Sequence, residues 1–204
     1  MARMPRRMIS ARERMIVRAA ERSESHIVIS GMLARYSLTP DGRRQFTALL
    51  LPGDVVGLEA LFNLRIPDNA VALSATIIQP LSPADLQHPG TRQMLWDALE
   101  RQTDRAGDWM LNLGGRPAAA RLAYFFHDTL TRMRALGIGS GEHHQLPLTQ
   151  VELADFLALT PVHVNRCLAI LRASGLAVFY RGRLQVPDPV RLARFADSDE
   201  AFES

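Results

Sequence analysis

Cysteine is nearly absent: Cys167 is the only one in 204 residues. A single thiol excludes an intramolecular disulfide, a four-cysteine iron–sulfur cluster and a cysteine-rich zinc site. It also suits a reducing cytoplasm. Long apolar runs are missing too. The most apolar run, Phe46 to Leu51, is of strand length, whereas a membrane-spanning helix needs about 20 apolar residues. The first 22 residues carry seven Arg against Glu13 and Glu21 with no continuous apolar stretch, which argues against a secretory signal. There is no lysine; all 24 basic residues are Arg. A guanidinium forks onto phosphate or guanine better than an ammonium does, but an arginine-favouring coding bias is the simpler explanation. No glycine-rich phosphate loop, nucleophile elbow or paired-carboxylate motif stands out, so enzyme activity is not expected.

What is present reads as an ordinary soluble chain, 47% hydrophobic and 22% charged, long enough for one large domain or two small ones. From about Glu24 to Ser82 it reads as strands and turns. His26 to Ile29, Met32 to Leu38, Arg43 to Leu51 and Ala70 to Ile78 are rich in β-branched, aromatic or Leu residues. Gly31, Thr39-Pro40-Asp41-Gly42, Pro52-Gly53-Asp54 and Pro67-Asp68 punctuate them. Short strands at this spacing predict a sandwich or barrel.

From Pro83 the pattern turns helical. Leu95, Leu99, Gln102, Ala106, Trp109 and Leu113 recur at spacings of four, three, four, three and four, an a/d heptad stripe. One reading is a long helix packed on its own β domain. The narrowness of the stripe, and polar Gln102 as a register-setting residue, favour a helix pairing with its copy in a dimer. Gly114-Gly115 and Pro117 predict a break, a domain boundary and a hinge near Gly114. Ala118 to Leu136 then reads as helix. Gly137 to Gln145 reads as a loop, in which His143-His144 lacks the partners a metal site needs.

Pro147 to Val186 is the most informative segment. Its four Arg against Glu152 and Asp155 give a net +2, whereas the tail from Pro187 carries a net −3. Thr149 and Glu152 fit a capping box, with a helix to about Leu157. A tight turn follows through Ala158 and Leu159. Thr160 then caps a second helix with Pro161 at its first position. Val164, Cys167, Leu168 and Leu171 should face the core. Val162, Asn165, Arg166, Ala169 and Arg172 should face outward, where Arg can fork onto guanine and Asn can pair with adenine. Gly175 ends this helix. Ala177 to Tyr180 and Leu184 to Val186 read as a hairpin around Arg181-Gly182-Arg183, whose arginines could reach phosphates. The bland alternative is a helical hairpin with a solvated face. The ordered series of cap, helix, turn, capped helix and hairpin favours DNA reading.

The run Leu148-Thr-Gln-Val-Glu-Leu-Ala-Asp-Phe-Leu-Ala-Leu-Thr-Pro-Val-His-Val-Asn-Arg-Cys-Leu resembles the helix-turn-helix of the Crp–Fnr (cyclic AMP receptor protein and FNR) regulators. Ile29 to Tyr36, Asp41 to Phe46 and Leu51-Pro-Gly-Asp-Val-Val-Gly-Leu-Glu-Ala-Leu-Phe are similar to that family's sensor domain. The resemblance covers about residues 8 to 195. It implies an α+β chain: a cyclic-nucleotide-binding-like β-roll (jelly roll) over 1–90, a dimerisation helix over 91–113 and a winged helix-turn-helix over 114–204. The implied partners are double-stranded DNA, a second copy of the chain and RNA polymerase, with a small-molecule effector as a possible ligand of the β-roll. Candidate DNA-contacting residues are Thr149, Gln150, Thr160, Pro161, Val162, His163, Asn165, Arg166, Arg181 and Arg183. Relative to most members the N-terminus looks short, so the native start is expected upstream.

The departures from the family pattern bear on the ligand. Cyclic-AMP-binding members carry Gly-Glu at the start of the phosphate-binding stretch and Arg-Ser or Arg-Thr before an Ala. Here Leu58 follows Gly57, with Glu59 one place late, and Asp68-Asn69 precede Ala70. An Asp would repel the phosphate, so neither cyclic AMP nor an iron–sulfur cluster is expected. In the turn, Ala158 replaces the usual Gly. Pro161 and Val162 replace more polar residues at the head of the second helix. The competing function is a ligand-sensing module that signals to a protein partner without specific DNA binding.

Overall fold

The structure is a computed structural model that describes residues 5–15, 25–62 and 69–198. The chain divides into two compact units between Gly107 and Asp108, each with its own core.

Among the described residues of the first unit, eight strands form two antiparallel four-stranded sheets. They are β1 (Arg7–Ile9), β2 (Arg14–Met15), β3 (Ser25–Ser30), β4 (Leu33–Leu38), β5 (Arg44–Leu50), β6 (Val55–Val56), β7 (Asn69–Ala72) and β8 (Thr76–Leu81). One sheet runs β1-β8-β3-β6 and the other β2-β7-β4-β5. Alternation sends Ile9, Val28, Val56 and Ile78 of the first sheet and Met15, Leu33, Leu50, Ala70 and Ala72 of the second into a shared core. The expected strand from Ala70 to Ile78 is two strands in different sheets. The chain turns between them because Met32 holds it on both sides: its N–H donates to Ser74 Oγ at 3.0 Å, and its carbonyl accepts from the Leu73 N–H at 2.8 Å and Thr76 Oγ1 at 3.1 Å. Gly31 lies against this turn at φ +88°, where an added Cβ would sit 2.4 Å from the Ala75 carbonyl oxygen. Strands β1 and β2 precede the expected β region.

A short 3₁₀ turn (Pro83–Gln87) leads into α1 (Pro89–Gly115). Leu95 and Ala98 of α1 are buried against Val55, Leu58 and Leu61. Arg105 forks onto Asp54, each guanidinium nitrogen 3.0 Å from a carboxylate oxygen. Asp54 Oδ2 also accepts the Leu51 N–H at 2.9 Å. Leu95 therefore belongs to the core of its own unit, which corrects its assignment to the dimer stripe.

The second unit contains α2 (Ala118–Ala135), β9 (His143–Gln145), α3 (Gln150–Leu157), α4 (Pro161–Ala173), β10 (Val178–Tyr180), β11 (Arg183–Gln185) and α5 (Pro189–Ala196). The last turns of α1 belong to it. Trp109 meets Phe125 and Phe156 edge-on, at centroid distances of 5.9 and 6.2 Å, and Asn112 is buried beside Arg121. Trp109 thus packs within its own unit while remaining half-buried. The helix runs on through Gly114 to Gly115. The expected loop to Gln145 contains β9, the third strand of a sheet ordered β10-β11-β9. In the acidic tail, Asp188 caps α5 by accepting from the N–H groups of Val190 and Arg191.

Candidate nucleic-acid interface

The site begins with two helix caps. Thr149 Oγ1 accepts the Glu152 N–H at 3.2 Å, and Glu152 Oε2 returns to the Thr149 N–H at 2.7 Å, a complete capping box. Helix α3 ends at Ala158, which sits in the left-handed region at φ 54°, ψ 42°. The chain then bends by 97° into α4, the sharp crossing of a helix-turn-helix. Thr160 caps α4 by accepting the His163 N–H at 3.2 Å, with Pro161 in the first turn.

Helix α4 has the two faces its sequence indicated. Val164, Cys167, Leu168 and Leu171 are buried. Burial pushes the Cys167 thiol above its usual pKa, so it is protonated at neutral pH. At about 100° per residue, Val162, Asn165, Arg166 and Ala169 lie on the opposite side, all exposed, with His163 on its flank. There is no carboxylate on α4. Gln150, at the start of α3, reaches across to α4: its Nε2 donates to Asn165 Oδ1 at 3.0 Å. The structure brings this pair together; the spacing in sequence did not reveal the contact.

The wing follows. Tyr180 and Arg183 pair across a two-residue turn in which Arg181 (φ 48°) and Gly182 (φ 74°) both have positive φ, the combination a type I′ hairpin turn requires. Arg181 and Arg183 are exposed. The Arg181 guanidinium carbon lies 5.2 Å from the centroid of the Tyr180 ring, which is itself exposed. Tyr180 went unassigned in the sequence, although strand alternation around half-buried Phe179 would place it outward. Phe179 anchors the hairpin on α2 through Phe126, at 5.7 Å.

Along α1 the exposed apolar residues are Trp96, Leu99, Met110 and Leu111, with Thr103 and Ala106 also exposed. The outward stripe therefore runs 96, 99, 103, 106 and 110. It keeps Leu99 and Ala106 from the sequence stripe and trades Leu95, Gln102 and Trp109 for their C-terminal neighbours. Leu113 and Gln102 are half-buried.

A capped helix pair bent at a tight turn, an acid-free exposed helix face and an arginine-tipped hairpin define a winged-helix DNA-binding regulator. Family models agree: residues 120–195 match the Crp-like helix-turn-helix domain and residues 9–88 the cyclic nucleotide-binding domain. The chain is 32% identical over 182 residues to the transcriptional activatory protein AadR of Rhodopseudomonas palustris, covering 83% of this chain and 72% of AadR. It is 29% identical over 173 residues to the nitrogen fixation regulation protein FixK of Bradyrhizobium diazoefficiens, covering 83% and 72%. The solved structure of FixK2 from Bradyrhizobium japonicum superposes with a TM-score of 0.76 at 27% identity, covering 92% of this chain and 94% of that one. The chain belongs to the Crp–Fnr family of DNA-binding transcription regulators. Among the described residues, no single helix is long and apolar enough to cross a membrane.

Proposed function

We propose that this regulator binds an imperfectly palindromic operator as a homodimer joined along α1, with Arg166 reading a base and Arg181 and Arg183 holding phosphates. The observation that carries this reading is the exposed face of α4, where Asn165 and Arg166 flank Val162 at the head of a helix capped by Thr160. Thr149 and His163 sit around the same helix ends and suit backbone contacts, with Pro161 shaping the first turn of α4. Two such helices in successive major grooves put half-site centres roughly 10–10.5 base pairs apart. RNA polymerase is the partner through which a DNA-bound dimer would act on transcription.

The β-roll is proposed to take a signal other than cyclic AMP. Leu58 stands where the nucleotide-binding members carry Glu, and its side chain is buried among Val55, Leu61 and Leu95. Asp68, the other departure, lies outside the described residues. An effector would shift the protein only by binding one of two arrangements better than the other. Calorimetry with cyclic AMP is expected to give no specific heat; a micromolar dissociation constant would overturn this part.

Binding measured on operator and random DNA at several salt concentrations tests the roles. Arg166→Ala should cost about 1–3 kcal/mol per half-site on operator and relax one base position. Arg181→Ala and Arg183→Ala should weaken both DNAs alike and flatten the salt dependence by about one unit per lost contact. If Arg166→Ala weakens both DNAs equally while the wing variants change sequence preference, the roles are reversed.

A further inference from the structure

We infer that Gln150 is a specificity-determining residue: by holding Asn165 Oδ1 toward α3, it leaves the Asn165 NH₂ to face the groove, so that this position of the operator is read through an acceptor alone and loses the bidentate preference for adenine. The inference rests on the DNA-reading role proposed for α4. An unrestrained Asn in the major groove pairs with adenine through both ends of its amide, the oxygen accepting from N6 and the NH₂ donating to N7. Here the oxygen end is turned toward α3, with Gln150 Nε2 at 3.0 Å. The end left to face the groove is the NH₂, which satisfies guanine O6 or N7, thymine O4 or adenine N7 with a single bond and so no longer singles out adenine.

The rest of the face reinforces this choice. Arg166 offers only donors, and Val162 and Ala169 offer only apolar contact, such as a thymine methyl. With no Asp or Glu on α4, no carboxylate on the helix accepts from cytosine N4. The Thr160 hydroxyl oxygen is already engaged with the His163 N–H, and His163 sits to the side of the stripe. Gln150 occupies the first turn of α3, where the Thr149–Glu152 capping box fixes its backbone, so its reach to Asn165 is set by two rigid helices rather than by a loop. A sequence scan finds Asn165 and expects adenine. The contact across the turn takes up the oxygen half of that bidentate pair.

Selection from a randomised double-stranded DNA library with the full-length chain tests this, using wild type, Asn165→Ala, Gln150→Ala and Gln150→Glu, each confirmed folded by circular dichroism. Asn165→Ala identifies the base position that Asn165 reads, as the one whose preference disappears. At that position wild type should show no preference for adenine over guanine or thymine on the contacted strand. Gln150→Ala frees the amide and should raise the share of adenine relative to wild type by about fivefold or more, the low end of what a bidentate amide–adenine pair discriminates. Gln150→Glu cannot donate to Oδ1 and draws the NH₂ inward, so it should shift the same position toward adenine or cytosine even if Gln150→Ala fails to fold. Adenine enrichment by wild type, unchanged in both variants, would overturn the inference while leaving DNA reading intact. So would an Asn165→Ala variant that changes no position. Failure of wild type to enrich any motif would instead overturn the proposed function itself.

Discussion

At the scale of single residues, the turn of the helix-turn-helix holds an unrelieved cost. Ala158 adopts φ 54°, a region where a Cβ crowds the following carbonyl by about 1–2 kcal/mol. Replacing it with glycine removes that crowding but loosens the unfolded chain, which returns about 0.4–1 kcal/mol. Ala158→Gly should therefore stabilise the protein by about 0.5–1 kcal/mol, read as a higher midpoint in urea at unchanged slope, with operator affinity unaltered. A lower midpoint would mean that the Ala158 methyl makes a contact worth more than the strain. The Thr149 and Thr160 caps were legible in sequence because each depends on residues within a few places along the chain, whereas Ala158 stood out only against the glycine usual in the family. The Gln150–Asn165 contact was not, since it depends on the 97° bend that brings two helices together.

Helix α1 shows where periodicity stops being informative. Its sequence supports two interleaved heptad stripes that share Leu99 and Ala106. Spacing alone does not say which stripe a helix turns to its own domain. The structure separates them: Leu95 is buried with Val55, Leu58 and Ala98, while Trp96 and Met110 are among the most exposed apolar residues. The two faces should respond differently to substitution. Leu99→Glu places a charge in the proposed seam and should yield monomers by light scattering, with most operator affinity lost. Leu95→Ala should leave association intact and lower unfolding stability by about 2–5 kcal/mol. Monomers from Leu95→Ala at a concentration where it is still folded, with Trp96→Glu and Met110→Glu remaining dimeric, would return the seam to the original stripe. Strand β9 was illegible for a related reason. Its three residues His143–Gln145 carry no apolar alternation and become a strand only because β11 pairs with them.

Across the whole molecule, two units with separate cores put different chemistry at risk under acid. His144 lies in β9 with 2% of its surface exposed, and its Nε2 is 3.0 Å from the Gly141 carbonyl oxygen. That contact fits the neutral ring with its proton on Nε2, leaving Nδ1 buried without a hydrogen-bond partner. Burial lowers its pKa from the usual 6.5, assisted by Arg134, which itself donates to the Gly141 carbonyl, and by neighbouring His143. The Gly141 contact opposes the shift without cancelling it. Above pH 6.5 the ring is neutral in folded and unfolded chains alike, and nothing is lost. As pH falls below 6.5, the unfolded chain binds a proton that the folded chain resists, so stability declines until the lowered folded pKa is reached. The loss belongs to the winged-helix unit, because His144 and everything that perturbs it lie there. Thermal unfolding of the full chain should therefore show a midpoint that drops between pH 7.5 and 5.5. In His144→Gln, which keeps a donor toward Gly141 but cannot titrate, that drop should be smaller. The difference between the two pH profiles isolates the His144 contribution, since every other titrating group is common to both proteins. Parallel profiles for the two proteins would show that the ring takes up its proton in the folded state as easily as in the unfolded one, and that burial of the ring is not what sets its charge.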